Sequence, residues 1–283
     1  MSEVTVERHQ FEIRGAEGRP IGGTLFCRSN VTAKAPVVVI CHGFKAFQNW
    51  GFFPSLGAYF AGLGYVAITF EFSHNGIGDD PLLTSELSVF QQNRFSFERE
   101  DVHAVVSAIQ SRQVPISSGD PDRIFLLGHS RGGAAAISAG GLSGIVGLAL
   151  LASISDYPTV TETEAEQWRN EGVWYVENAR TKQQLPLGIP LLNELLHERG
   201  TIERQAQRLD VPVCIVHGTQ DSTVPVGSAE SLAAWIKRAE LHLLQTDHTF
   251  GARHPYVEPS PSLEEVKAIV SSFFERCLSE LAA

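Results

Sequence analysis

The stretch IFLLGHSRGGAAA, residues 124–136, decides how the rest of the chain is interpreted. It begins as a short apolar run, typical of a buried strand, and ends in small residues that suit a helix packed closely on a sheet. Between them stands the pattern G-x-S-x-G, in which Gly128 and Gly132 leave room for a tight strand-to-helix turn. Such a turn presents the Ser130 hydroxyl near a helix N-terminus, which favours developing negative charge. Ser130 is therefore the candidate nucleophile; the alternative is a glycine-rich turn that only packs a helix on a strand.

Apolar runs alternate with amphipathic segments along most of the chain, which predicts a mostly parallel sheet with helices on both faces. The run at 37–41 is continuously apolar and β-branched, as expected of a strand buried on both faces. The other predicted parallel strands are 65–70, 123–127, 145–151, 211–217 and 241–244. The predicted helices are 52–63, 97–113, 131–140, 227–237 and 262–280. Segments 4–14 and 22–28, around a turn signal at 19–23, predict an antiparallel hairpin at one sheet edge.

Residues 153–210 interrupt this alternation with polar helical stretches and no convincing strand. We interpret them as a helical cap inserted into a core of residues 1–152 and 211–283, at the sheet edge where α/β proteins bind ligands. An ordinary long crossover is the alternative. Trp168 and Trp174 need an apolar surface to cover, and we expect Trp174 to form part of a substrate pocket. Packing within the cap or a homodimer contact would also satisfy the two tryptophans.

Composition excludes several classes of protein. The 283 residues are 43% hydrophobic and 19% charged, which is typical of a globular chain. The net charge of -10 disfavours binding to nucleic acid. The four cysteines are scattered and suggest neither a disulfide framework nor a zinc knuckle. No apolar stretch approaches the roughly 20 residues of a membrane span, and the N-terminus lacks a signal-peptide core, so we expect a soluble cytoplasmic protein.

The sequence CHGF follows the predicted strand 37–41 directly. A nucleophile that attacks a carbonyl needs donors for the resulting oxyanion, and the backbone N–H groups of Phe44 and Arg131 are the candidates. In the alternative, Gly43 merely supplies a turn with positive φ. Phe47 and Trp50 lie close by in the sequence and are candidates for an apolar wall of the substrate pocket.

Two later strands end in loops that carry Asp221, within HGTQDSTVP, and His248, within DHTF. The chain order is then Ser130, Asp221, His248, which is one of the known orders of a catalytic triad. His248 would act as the general base, and Asp221 would hold its tautomer and orientation.

Other titratable residues compete for these roles. Asp247 is a rival acid, but neighbouring side chains in a loop seldom face each other. His254 is a rival base that lacks a matching acid after a strand. His42, His129 and His217 flank glycines at strand ends, so we expect them to line or support the site.

The motifs HGF, GHSRGG, HGTQDSTVP and DHTF together resemble the α/β-hydrolase superfamily over roughly residues 20–280. Within it, the chain is similar to the prolyl-oligopeptidase/dienelactone-hydrolase-like branch that includes bacterial cinnamoyl and feruloyl esterases. The resemblance implies the α/β-hydrolase fold, with eight mostly parallel strands and a lid after the sixth. It also implies a triad of Ser130, Asp221 and His248, oxyanion donors on Phe44 and Arg131, and neither cofactor nor metal.

Two positions depart from the family pattern. Arg131 stands where many esterases have Gln or Met, and the turn at 71–76 replaces a more familiar Asp-Arg-Gly-like turn, so no function is carried onto it. The implied reaction is hydrolysis of small to medium, apolar or aryl carboxylic esters through an acyl-enzyme. An acyl thioesterase or amidase would use the same triad, and a ligand-binding protein on a hydrolase fold is the non-enzymatic alternative.

Overall fold

A computed structural model describes residues 5–29, 34–78, 80, 83–116 and 118–283 of the chain. The strands are β1 (Val6–Arg14), β2 (Pro20–Arg28), β3 (Ala35–Cys41), β4 (Val66–Phe70), β5 (Gly119–His129), β6 (Ile145–Leu151), β7 (Val173–Glu177), β8 (Gln184–Gly188), β9 (Val213–Gly218) and β10 (Ala239–Leu244). The α-helices are α1 (Phe53–Gly62), α2 (Leu87–Phe90), α3 (Phe95–Gln110), α4 (Arg131–Ala139), α5 (Glu162–Glu171), α6 (Ile189–His197), α7 (Thr201–Ala206), α8 (Gly227–Trp235) and α9 (Pro261–Ala282).

Eight strands form one sheet in the order β1-β2-β4-β3-β5-β6-β9-β10. β2 pairs antiparallel with β1 and β4, and the other neighbours are parallel. The predicted eight-stranded, mostly parallel sheet and its edge hairpin are confirmed, although residue 4 lies outside the described residues. The predicted turn is wrong by several residues, because Arg14 already pairs with Pro20. Proline is tolerated there as the first residue of a strand.

The central strands bury both faces, as β3 illustrates. Val37 and Val39 belong to one apolar core with α3, α4, α7 and α8, whereas Val38 and Ile40 belong to a second core with α1 and α9. Because successive side chains of a strand point to opposite faces, one continuous apolar run supplies both cores.

The helix α9 closes the second core with an apolar stripe. Leu263, Val266, Val270 and Phe274 are buried at helical spacing, and the Ser260 hydroxyl accepts the N–H of Leu263 as an N-cap. Within the ranges that the structure describes, no helix combines the length and apolar character needed to cross a membrane.

The segment after β6 contains a hairpin as well as helices, which corrects the prediction that it holds no strand. β7 and β8 pair antiparallel, with Tyr175 opposite Pro186. Each strand has only five residues, and Pro186 lacks the N–H that a strand normally uses, so the sequence pattern did not indicate a strand. Helix α5 begins with a capping box between Thr161 and Glu164.

The last helix of the predicted insertion belongs to the layer that covers the sheet. α7 packs against α4 and α8, and its Ile202 and Ala206 lie in the first apolar core. The range 153–210 therefore includes a core helix. We use "cap" below for residues 154–200, which contain α5, β7, β8 and α6.

Candidate active site

Parallel strands bring the four predicted chemical segments to one edge of the sheet. β3, β5, β9 and β10 run in the same direction, so the loops after their carboxyl ends leave the sheet together. These loops carry Phe44, Ser130, Asp221 and His248, respectively.

Ser130 lies on a strained turn between β5 and α4. Its φ of 56° and ψ of -124° are values that a residue with a side chain rarely adopts. A β-carbon on Gly128 would stand 2.4 Å from the carbonyl oxygen of Gly132. One on Gly132 would stand 2.4 Å from the carbonyl oxygens of both Cys41 and His42. Both glycines are thus required sterically, and the turn keeps Ser130 at the end of the strand.

Asp221 and His248, the predicted acid and base, lie within hydrogen-bond distance of each other. Oδ2 of Asp221 lies 2.7 Å from Nδ1 of His248, and the Asp221 side chain is fully buried. Oδ1 accepts the backbone N–H groups of Thr223 and Val224, each at 2.8 Å. With its proton on Nδ1, His248 keeps a free lone pair on Nε2, which is what a general base needs.

The rival residues have other partners. Oδ1 of Asp247 accepts the N–H groups of Thr249 at 3.0 Å and Gly251 at 2.8 Å, so this carboxylate caps its own turn. Nδ1 of His254 accepts the N–H of Gly51 at 2.9 Å. Of the two candidate acids, Asp221 is the one whose carboxylate contacts the His248 ring.

Two buried histidines form hydrogen bonds with the backbone near Asp221 and His248. Nε2 of His129 donates to the His248 carbonyl at 2.9 Å, and burial followed by the nearby His248 lowers the pKa of His129 to about 3. Nε2 of His217 donates to the Val224 carbonyl at 2.9 Å and lies 3.4 Å from Oδ2 of Asp221. Burial also lowers the pKa of His217. Both imidazoles are therefore neutral donors that fix the backbone around Asp221 and His248.

The two candidate oxyanion donors lie beside the nucleophile. A β-carbon on Gly43 would stand 3.0 Å from Cβ of Ser130, so the loop that holds Phe44 passes very close to it. Arg131 is the first residue of α4, where a backbone N–H has no partner within the helix. The Arg131 guanidinium carbon lies 4.7 Å from the centre of the Phe44 ring. The side chains of the two predicted residues therefore contact each other, and both residues line the same cavity as Ser130.

The turn at 71–76, for which no function was predicted, anchors the loop that follows Phe44. Glu71 accepts the backbone N–H of Gln48 at 3.0 Å and a side-chain N–H of Asn75, and it lies 3.3 Å from Nε2 of His42. Glu71 was missed because its role depends on contacts with a loop over 20 residues away. Its only signal in the sequence was its place directly after a predicted strand.

The candidate nucleophile lies in the lining of an apolar cavity of about 510 Å³. Ser130, His248, Phe44 and Arg131 all line it. The cap supplies most of its wall, including Trp168, Trp174, Val176, Leu187, Leu191 and Leu195. A groove of about 680 Å³ beside β1 and β2 has none of the triad residues in its lining. The cavity under the cap is therefore the candidate substrate site.

The structure corrects two of the three predicted pocket residues. Trp174 lines the cavity, but Phe47 and Trp50 do not. Phe47 is buried, with its ring centre 5.3 Å from that of His254, and Trp50 stacks on the same His254 ring at 6.1 Å. Trp50 packs against the core formed with α1 and α9, and neither side chain is in the lining of the cavity at Ser130.

Among the described residues, two groups of side chains have the chemistry and spacing to hold a metal ion. They are Glu7 with His9 and Cys27, and Cys214 with Glu240 and His242. Neither group shares a residue with the lining of the candidate substrate site.

Residues 38–261 match the model of the alpha/beta hydrolase family, and the chain belongs to that family. No curated protein matches the sequence. The predicted superfamily resemblance is thus confirmed by a match that covers all four motif segments.

Solved structures of the same fold come from several sources. Est1E from Butyrivibrio proteoclasticus, with ferulic acid bound, is 19% identical with a TM-score of 0.70, and the match covers 95% of this chain and 99% of that one. Mouse alpha/beta hydrolase domain-containing protein 10 is 18% identical with a TM-score of 0.68, covering 95% and 99%. A dienelactone hydrolase-like promiscuous phosphotriesterase, P91, from metagenomic libraries is 12% identical with a TM-score of 0.63, covering 96% and 98%. At these identities the likeness shows the fold alone.

Proposed function

We propose that this α/β hydrolase cleaves carboxylic esters with small to medium, apolar or aryl groups through Ser130, His248 and Asp221. One observation carries the proposal. Nδ1 of His248 lies 2.7 Å from Oδ2 of a fully buried Asp221, and His248 shares one apolar cavity with Ser130.

Acylation of Ser130 is the first half of the proposed reaction. Nε2 of His248 takes the hydroxyl proton as Oγ of Ser130 bonds to the ester carbonyl carbon. The carbonyl oxygen becomes an oxyanion, which accepts hydrogen bonds from the N–H groups of Phe44 and Arg131. Asp221 stabilises the imidazolium of His248. The bond to the alcohol oxygen then breaks, and the departing alcohol takes the proton from His248.

Deacylation repeats the route with water. His248 takes a proton from a water molecule as the water oxygen bonds to the acyl carbon. The same two amides stabilise the second oxyanion, and the bond to Oγ of Ser130 breaks. The acid leaves, and the serine recovers its proton from His248.

The cavity supports the substrate class. Its volume of about 510 Å³ is within the range for small-molecule sites, and aromatic and aliphatic side chains of the cap dominate its wall. Trp168 and Trp174 stand next to each other in that wall, with ring centres 5.9 Å apart. An acyl or aryl group that fills this space is removed from water, and the burial of its apolar surface favours binding.

A substrate panel tests the proposal. Purified wild-type protein and Ser130→Ala are assayed against p-nitrophenyl esters of rising chain length, an aryl ester, an acyl thioester and an anilide. We expect the highest kcat/KM on an ester and none above background with Ser130→Ala. A higher kcat/KM on the thioester or the anilide would mean that the protein cleaves thioesters or amides in preference to esters. No turnover on any substrate would contradict the triad mechanism.

A further inference from the structure

The side chain of Arg131 is buried next to the nucleophile but takes no part in the reaction described above. Its Nε donates to Oε2 of Glu98 at 2.7 Å, and one terminal nitrogen donates to the side-chain carbonyl of Asn93. Both charged side chains are more than nine-tenths buried. A buried charge is expensive unless it is paired and hydrogen-bonded, and this guanidinium meets both conditions.

Two aromatic rings surround the same guanidinium. Its central carbon lies 4.7 Å from the ring centre of Phe44 and 4.6 Å from that of Phe95. Phe44 also stacks on Phe90, with ring centres 5.7 Å apart. Distances of this size allow cation–π attraction, which strengthens where water is excluded. The Phe44 ring thus contacts both Arg131 and the buried Phe90.

These contacts connect the two sources of oxyanion stabilisation. The backbone of Arg131 offers one donor, and its side chain touches the ring of Phe44, whose backbone offers the other. The loop around Phe44 has no regular secondary structure, and Lys45 next to it has a positive φ of 62°. The loop therefore depends on side-chain contacts to keep its N–H group at the distance that an oxyanion requires.

We propose that the Arg131 side chain is a positioning residue, which sets the place of the Phe44 amide by holding its ring against Phe90. The inference rests on the proposed ester hydrolysis by Ser130. Arginine suits the role because its planar, weakly hydrated guanidinium pairs with a carboxylate and stacks on rings at once, whereas a lysine ammonium is compact and strongly hydrated. Glu98 neutralises the charge, so the clamp adds no net charge to the apolar cavity.

The test uses Arg131→Lys and Arg131→Met, which keep the backbone N–H of residue 131. Arg99 supplies the matched controls Arg99→Lys and Arg99→Met, because this arginine of α3 also pairs with a carboxylate, that of Glu198 at 2.8 Å, but does not line the cavity. The readouts are kcat and KM on p-nitrophenyl butyrate and inhibition by butylboronic acid, which forms a tetrahedral adduct on a nucleophilic serine. Urea unfolding monitors the fold of each variant.

We expect the Arg131 variants to lose roughly 10- to 100-fold in kcat, since complete loss of an oxyanion donor costs about 10²- to 10³-fold. KM should stay within about threefold, because the lost interaction forms only in the transition state. Boronate inhibition should weaken in parallel with kcat. The Arg99 controls should change kcat by less than about threefold. A merely structural role would instead lower urea stability while leaving kcat of the folded fraction unchanged.

A double-mutant cycle with Phe44→Leu identifies the route, since leucine keeps the amide but removes the ring. If Arg131 acts through that ring, Arg131→Met should cost much less kcat in the Phe44→Leu background. Additive losses, or kcat of folded Arg131 variants within about threefold of wild type, would overturn the inference. If Arg131→Met does not fold, Glu98→Gln weakens the anchor and is judged by the same readouts. A wild-type protein that neither hydrolyses the ester nor binds the boronate would overturn the proposed function as well.

Discussion

Asp221 and Trp174 both belong to the candidate site, but different kinds of contact hold them. Asp221 stands in a loop at the end of a parallel strand, and two N–H groups of that loop bind its carboxylate. Trp174 stands in the short hairpin of the cap and packs on Trp168, whose Nε1 donates to the Leu187 carbonyl at 3.0 Å. The chemical groups are therefore fixed by the sheet, and the walls of the cavity by contacts within the cap. Changes in the sheet loops should alter the rate with every substrate, whereas changes in the cap should alter the choice among substrates.

The largest expected effect comes from the nucleophile. Ser130→Ala should lower kcat by on the order of 10⁶-fold, because a serine triad without its nucleophile retains little catalysis. Urea unfolding should show a stable fold, since the elbow depends on Gly128 and Gly132 rather than on the hydroxyl. Steady-state kinetics on p-nitrophenyl butyrate measure the loss. Residual activity above about a tenth of wild type would remove Ser130 from its assigned role.

The second largest effect should distinguish the two candidate acids, Asp221 and Asp247. Asp221→Asn should lower kcat by roughly 10⁴-fold, because the amide no longer holds the required tautomer of His248. Asp247→Asn is the matched control, since Asp247 binds only N–H and hydroxyl groups of its own turn in the described structure. Its kcat should stay within about tenfold of wild type. The assignment of the acid is wrong if Asp247→Asn is the more damaging change.

The cap should respond differently from the sheet loops. Trp174→Ala should lower kcat/KM by about tenfold for long-chain or aryl esters and by less than about threefold for acetyl esters, because only large groups reach the cap wall. The measurement is kcat/KM across the ester series for wild type and variant. A uniform loss at every chain length would show that Trp174 does not form a wall of the pocket.

The smallest effect concerns stability in acid. The pKa of His129 is lowered to about 3 in the folded protein, against an ordinary value near 6.5 for the unfolded chain. The unfolded chain then binds more protons between these values, so the His129 contribution to stability is lost as the pH falls from about 6.5 toward 3. His129→Gln keeps a donor for the His248 carbonyl but does not titrate.

Urea unfolding at pH 7 and pH 5 measures this difference. His129→Gln should lose less stability between the two pH values than wild type does. His103→Gln, in which the replaced ring is on the protein surface, is the control and should follow wild type. An equal acid sensitivity of His129→Gln and wild type would mean that the buried His129 does not contribute.

The sheet could be predicted from the sequence more fully than the cap. The run at 37–41 predicted its strand because continuous apolar residues have few alternatives in an α/β sheet, and Gly128 and Gly132 marked a turn that no larger residue permits. The cap hairpin was missed because Pro186 contradicts a strand locally and the pairing with Tyr175 overrides it. Tertiary contacts determine the structure of this hairpin, and the pattern of a single sequence does not reveal such contacts.

The pocket residues show the same limit on a finer scale. Phe47 and Trp50 are aromatic residues within six positions of Phe44, and their proximity in the chain suggested a shared pocket. In the structure they pack with the ring of His254 instead, and neither lines the cavity at Ser130. The roles of Glu71 and of the Arg131 side chain likewise depend on partners far away in the sequence.

Covalent labelling is the most direct test of whether Ser130 is the nucleophile. Wild-type protein is incubated with a fluorophosphonate, and the intact mass and the modified peptide are determined alongside Ser130→Ala and His248→Ala. We expect one adduct per chain on Ser130 in wild type, none in Ser130→Ala and much slower labelling in His248→Ala, because His248 activates the serine. A wild-type protein that remains unmodified, or an adduct that persists in Ser130→Ala, would contradict it.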